Sequence, residues 1–167
     1  MRGRSGAGKT TYAHKICEEL SAIRFSIDPW MQTLYHEDMN TLDYEWMMNR
    51  VYRCYNQIWD VSLQILNNGG NAVLDLGFTE RKLRENFYTR AKNMDISMEL
   101  HFLNVPQNIR RKRVERRNVE KNPDVYSFEI TQLMFDFIEN KFEEPNEQEI
   151  TNGLFVKRDY KSSENKN

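Results

Sequence analysis

The sequence predicts an α/β fold: three layers, with a mostly parallel sheet between helices on both faces. Three observations carry that expectation. Apolar runs of strand length (Ala22 to Ile27, Ala72 to Leu76, Ser97 to Val105) alternate with segments of helical period. A glycine-rich loop, Gly3-Arg4-Ser5-Gly6-Ala7-Gly8-Lys9-Thr10, opens directly into the first helical segment. Turn signals such as Asn67-Asn68-Gly69-Gly70 and Asn122-Pro123-Asp124 separate the units.

Each element follows from its pattern. From Lys9 to Leu20, residues Tyr12, Ala13, Ile16 and Leu20 share one helical face. The strand Ala22 to Ile27 ends at Asp28-Pro29, where proline suits the first position of a new helix. Thr41 begins a long helix with Asp43 and Glu45 in its first turn, and Met47, Val51, Cys54, Ile58, Val61 and Ile65 form its buried stripe. After the strand Ala72 to Leu76, Thr79 caps a helix reaching Met94. The strand Ser97 to Val105 leads through Pro106 into a basic helix ending near Glu120. Ser127 caps a further helix rich in Leu133, Phe135, Phe137 and Ile138, and a short strand, Leu154 to Val156, follows. Residues 1–160 read as one domain and the polar stretch 161–167 as a disordered tail.

One element is expected and not found. A loop of this kind follows a buried strand, normally central in the sheet, and only Met1 and Arg2 precede Gly3. The first strand is therefore expected to be missing, leaving a gap in the sheet.

Composition narrows the class. Of 167 residues, 39% are hydrophobic and 29% charged, and the net charge of -1 gives no general attraction to nucleic acid or anionic membrane. No long nucleic-acid track and no membrane partner are expected, and no apolar run reaches the roughly 18 residues a spanning helix needs. Cys17 and Cys54 lack metal-ligand spacing and read as reduced, buried thiols of a cytoplasmic protein, and a monomer is expected. His14, His36 and His101 show neither ligand nor triad spacing.

Chemistry concentrates at the start. Gly3 to Thr10 satisfies G-x-x-x-x-G-K-[ST] in full, with Gly6 as an extra glycine and Thr11 as a second hydroxyl. Glycines let successive N–H groups of Ser5, Gly6, Ala7 and Gly8 wrap a phosphate. Lys9 is suited to the β- and γ-phosphates of a nucleoside triphosphate, and the Thr10 hydroxyl to Mg²⁺. Asp28 falls at the carboxyl end of a strand, where it suits a general base or, equally from spacing, a helix N-cap. Asp75 interrupts an apolar strand, so it needs compensation, which Mg²⁺ at the phosphates could supply; a turn cap near Gly77 is the alternative. Arg110, Arg111, Lys112, Arg113, Arg116 and Arg117 form the densest basic run, suited to a phosphoryl group or to solvent, with most of the six expected at the surface. The aromatic stretch from Trp30 to Trp46 is more often core than substrate pocket, and Trp30, just after Asp28, is also a candidate wall for a second substrate.

With those residues placed, the chain resembles a P-loop kinase of the bacterial AAA-type ATP/GTP kinase group, related to polynucleotide kinase and zeta-toxin-like kinases. The resemblance runs over nearly the whole chain. Gly3 to Thr11 is similar to the group's GxPGSGKST loop, with Ser5 where proline is common. Phe25-Ser26-Ile27-Asp28-Pro29-Trp30-Met31 resembles FS-x-D-x-W-M, and Asn71 to Phe78 resembles a VVLDxGF strand. Asn104-Val105-Pro106 with Arg113 and Arg117-Asn118 is similar to DVP followed by lid arginines, with Asn104 in place of the usual aspartate. Phe142 to Glu147 looks like a closing FEPP-x-x-E segment, which the resemblance sets near the nucleotide base.

The resemblance implies an arginine-bearing lid at about 113–127 and γ-phosphate transfer from ATP or GTP to a hydroxyl. Lys9, Asp28, Arg113 and Arg117 would be catalytic, Gly3 and Ser5 to Thr11 would bind nucleotide, and Thr10 and Asp75 would serve Mg²⁺. The acceptor would be a small molecule or a nucleic-acid end. The alternative expectation is a nucleotide-binding protein or ATPase without phosphotransfer, including a truncated, inactive copy.

Overall fold

The strands pair in parallel, as strand–helix–strand alternation requires. The computed structural model describes residues 3–38, 43–126, 128–151 and 155–159. Along the chain run α1 (Lys9–Leu20), β1 (Ala22–Ser26), α2 (Ile27–Tyr35), α3 (Tyr44–Asn67), β2 (Asn71–Asp75) and α4 (Arg81–Asn93). Then follow β3 (Leu100–Asn104), α5 (Gln107–Glu120), α6 (Gln132–Lys141), α7 (Glu147–Thr151) and β4 (Phe155–Asp159).

The described strands form two parallel pairs rather than one continuous sheet. In the first, Ala22 faces Asn71 and Ser26 faces Asp75; in the second, Leu100 faces Phe155 and Asn104 faces Asp159. Met1 and Arg2, where the missing strand was sought, lie outside the described residues.

By its packing the chain divides into two units: Met1–Lys9, Gly77–Lys121 and Ile130–Asn167 form one, and Thr10–Leu76 with Asn122–Glu129 the other. The first buries Phe78, Phe87, Phe102, Val114, Phe135 and Phe142. Phe102 stacks on Phe142, and Phe78 meets Phe87 at 4.9 Å between centroids. The second buries Ala13, Phe25, Ile58, Trp59 and Val73. Its long helix α3 buries Cys54, Tyr55, Ile58, Trp59 and Ser62, so the covered stripe is rotated from the expected one. The Tyr55 hydroxyl donates to the Leu76 carbonyl at 2.8 Å, and Ser62 Oγ to the Ile58 carbonyl, which satisfies both buried hydroxyls.

Several helix starts differ from the sequence expectation. Helix α2 begins at Ile27 with Ser26 extended before it, so Asp28 lies in the first turn and is not the N-cap. Pro29 sits within that first turn, where a missing N–H costs no helical bond. Asp43 is the N-cap of α3, accepting from the Glu45 and Trp46 amides, while Thr41 lies outside the described residues. Helix α4 starts at Arg81 after Glu80; Thr79, the expected cap, instead accepts through its carbonyl from the Glu143 amide. Thr131 caps α6 through the Met134 amide, and the expected cap Ser127 lies outside the described residues. Strand β3 is shorter than the apolar run that announced it, and α7 was not foreseen. Among the described residues no helix is long and apolar enough to cross a membrane.

Candidate functional site

The glycine pattern of the loop has a local structural cause. Gly6 and Gly8 adopt φ of +75° and +83°, values that side chains disfavour. Gly6 also lies against the backbone of Arg110: a Cβ there would stand 2.3 Å from the Arg110 carbonyl oxygen. A turn bond from the Ala7 amide to the Arg4 carbonyl, 3.1 Å, shapes the loop before α1 begins at Lys9. Lys9 Nζ reaches back to the same Arg4 carbonyl at 3.3 Å. Ser5 and Ala7 are buried and Gly8 is exposed, so the loop rests on one side and opens on the other. Thr10 and Thr11 follow Lys9 in the first turn of α1, where helix N–H groups are unsatisfied and favour anions.

Helix α5 brings Arg113 to the loop: its Nη1 stands 3.8 Å from the position a Gly8 Cβ would take. Arg117 is one turn further on the same face and is half-buried. The basic run is less solvated than expected, because only Lys112 and Arg116 are exposed. Arg116 pairs with Glu120 along the helix at 3.3 Å. Arg111 bonds Asp136 at 3.1 Å and lies over Phe135. Arg110 is 2% exposed and donates to Val105, Ser5 and Glu139. Beyond α5, Lys121 takes the left-handed conformation and ends the helix. Asn118 then clamps Ile130 with two hydrogen bonds, of 2.8 and 3.2 Å, where the chain returns from the expected lid region.

In the other unit, Asp28 is exposed at the start of α2, and Trp30 meets Phe25 edge-on. Asp75 ends β2, is 5% exposed, and is compensated by an arginine on the neighbouring strand. Arg24 on β1 bonds its Oδ2 through Nη2 at 2.8 Å and Nε at 3.3 Å. Parallel register puts Ser26 opposite Asp75, so Arg24 lies on the same face two residues away. Burial pushes the nearby Cys17 thiol up, Arg24 pulls it down and Asp75 pushes it up again. Burial likewise raises Cys54, against a hydrogen bond from Tyr35. Among the described residues no group of three or more His, Cys, Asp or Glu side chains could hold a metal.

After β2 the chain passes Gly77 and then Phe78, a non-glycine residue at φ +29°. Arg84 holds this turn, with Nη1 on the carbonyls of Phe78 and Thr79 at 3.3 and 3.4 Å. Its remaining donors meet Glu149 at 2.5 and 3.0 Å. Glu143 accepts from the Arg81 amide. The closing segment also meets the loop: Arg4 bonds Glu144 at 2.9 Å and lies 4.1 Å over the Phe142 ring. The sequence carries no sign of Arg24, Arg84, Glu139 and Glu149, and Arg110, a member of the basic run, is buried rather than at the surface.

The family model described as AAA domain matches residues 1–145. Among solved structures, Kti12 of Chaetomium thermophilum, in complex with ADP-AlF3, superposes with a TM-score of 0.71 at 15% identity, covering 95% of this chain and 87% of that one. No curated protein matches. The architecture is that of a P-loop NTPase.

Proposed function

The chain belongs to the AAA domain family, and from that premise we propose that it is a nucleotide-dependent kinase, moving the γ-phosphate of ATP or GTP to a hydroxyl. The single observation that carries this reading is the loop: a complete phosphate-binding pattern, turned at Gly6 and Gly8, leading into α1 with Arg113 beside it. The ADP-AlF3 in the Kti12 structure supports a nucleotide here as well.

Each residue has a role that its chemistry fits. Loop amides from Ser5 to Gly8 would bind phosphate oxygens, and Lys9 would exchange the Arg4 carbonyl for the β- and γ-phosphates. Arg113 and Arg117 would offset charge gathering on the transferred group. Asp28, exposed in the first turn of α2 just past β1, would accept the proton of the incoming hydroxyl. Thr10 offers the hard oxygen that Mg²⁺ prefers alongside water and phosphate, and Asp75 would assist from a position already shared with Arg24. Bound there, Mg²⁺ would neutralise phosphate charge.

The test is ATP and GTP binding by wild-type protein and by Lys9→Ala, followed by an acceptor screen with γ-labelled nucleotide. Lys9→Ala should abolish nucleotide binding or turnover, and a variant that keeps both refutes the reading. A second reading, nucleotide binding without phosphotransfer, is favoured by Arg24, which already compensates Asp75. ATP binding with neither transfer to any acceptor nor phosphate release would select it.

A further inference from the structure

We infer that Arg110 and Glu139 are positioning residues, setting the shape of the phosphate loop and thereby its affinity for polyphosphate without touching the ligand. The inference rests on the reading of that loop as a nucleotide cradle.

Arg110 is 2% exposed, and its guanidinium joins three pieces of chain. Nε donates to the Val105 carbonyl at 2.8 Å, where β3 gives way to α5. Nη1 reaches the Ser5 carbonyl at 3.4 Å, inside the loop. Nη1 and Nη2 meet the Glu139 carboxylate at 2.5 and 2.7 Å, on α6. Only a planar, many-donor side chain serves a carboxylate and two carbonyls at once; lysine does not. The backbone of the same residue abuts Gly6, so Ser5 and Gly6 rest on Arg110 from both its ends.

Glu139 is the counter-charge without which a guanidinium so buried would be costly. It also stands 3.7 Å from Arg4 Nε, so one carboxylate serves cations on both sides of Ser5. A cradle of amides binds more tightly when its shape is fixed before the ligand arrives, since ordering cost is not charged to binding. Helix α6, through one carboxylate, does that fixing.

A bland alternative is that this is a packing pair with no effect on the loop. The same unit contains the matched control. Arg84 and Glu149 form a pair of like burial, with side chains 2% and 14% exposed against 2% and 15% for Arg110 and Glu139. Its hydrogen bonds go to Phe78 and Thr79 in the turn after β2 and to the Asn146 amide.

The experiment compares Glu139→Gln with Glu149→Gln, using inorganic tripolyphosphate and ATP as titrants, melting temperature as the stability reading, and amide resonances of Gly6 and Gly8 in the ligand-free protein. Both variants are expected to melt lower. Only Glu139→Gln is expected to weaken both ligands, by about tenfold and by the same factor, and to move the Gly6 and Gly8 resonances. Equal affinity loss in the two variants, or wild-type affinity in Glu139→Gln, overturns the inference. Should Glu139→Gln fail to fold, Arg110→Lys, which keeps the charge and loses the fork, is judged by the same criterion. Wild-type protein that binds neither titrant overturns the cradle reading as well, which separates the two failures.

Discussion

Arg24 holds Asp75 through a single carboxylate oxygen, Oδ2, with Nη2 at 2.8 Å and Nε at 3.3 Å. Asp75 is the more buried partner, at 4% side-chain exposure against 19% for Arg24. Removing the arginine strands a carboxylate in the interior, whereas removing the carboxylate leaves a long cation able to reach water. Urea unfolding should therefore show Arg24→Met losing about 3 kcal/mol and Asp75→Asn less, with the double variant recovering part of the loss. Strict additivity would deny the coupling.

At Gly6 the loop tolerates no side chain. Alanine there meets the Arg110 carbonyl at 2.3 Å and must also hold φ +75°. Overpacking and a left-handed residue together cost about 2–4 kcal/mol, or push the loop off Arg110. Gly6→Ala should melt lower and bind ATP at least about tenfold more weakly by calorimetry. Gly69, with nothing within 4 Å of its would-be Cβ and φ +76°, serves as the control for backbone strain alone.

Asp28 is exposed and carries a proposed proton-accepting role. Once an acceptor is found, Asp28→Asn should lower transfer by about 10²–10⁴-fold while ATP affinity stays within about twofold. A parallel loss of ATP affinity would mark Asp28 as a helix-start residue only.

Cys17 and Cys54 are both held above the ordinary thiol value, chiefly by burial. A group raised in the fold stabilises it fully below the unfolded pKa and ceases to do so as pH climbs through the folded one. Native protein should thus consume iodoacetamide slowly at mildly alkaline pH and rapidly in urea. Between neutral pH and values above the free thiol pKa of about 8.5, the urea midpoint should fall further in wild type than in Cys54→Ala. Equal falls would contradict the shift.

The turns of the loop and the positions of Asp28 and Asp75 beside strands were legible because each is a local pattern: glycines at fixed offsets, an acid after a strand, an acid within one. The arginine partnerships were not. Arg24 meets Asp75 across 51 residues, Arg84 meets Glu149 across 65, and Arg110 meets Glu139 across 29. Nothing local in a helix of mixed charge distinguishes a buried Arg110 from an exposed Lys112. Helix α7 is five residues long, too short for periodicity to announce. The α3 stripe was rotated because Tyr55 and Trp59 bring large apolar bodies to a face that residue-type counting had assigned elsewhere.

The pairing of Arg84 with Glu149 bears on where this domain can be cut. Residues 1–145 carry the family signature, yet the carboxylate that neutralises Arg84 lies past them, as does β4, the neighbour of β3. A chain shortened to Pro145 would lose the anion that Arg84 holds together with the strand beside β3, and it is expected to melt below one that reaches Asp159. A piece cut for experiment should therefore reach through β4, which keeps both the anion on Arg84 and the partner of β3.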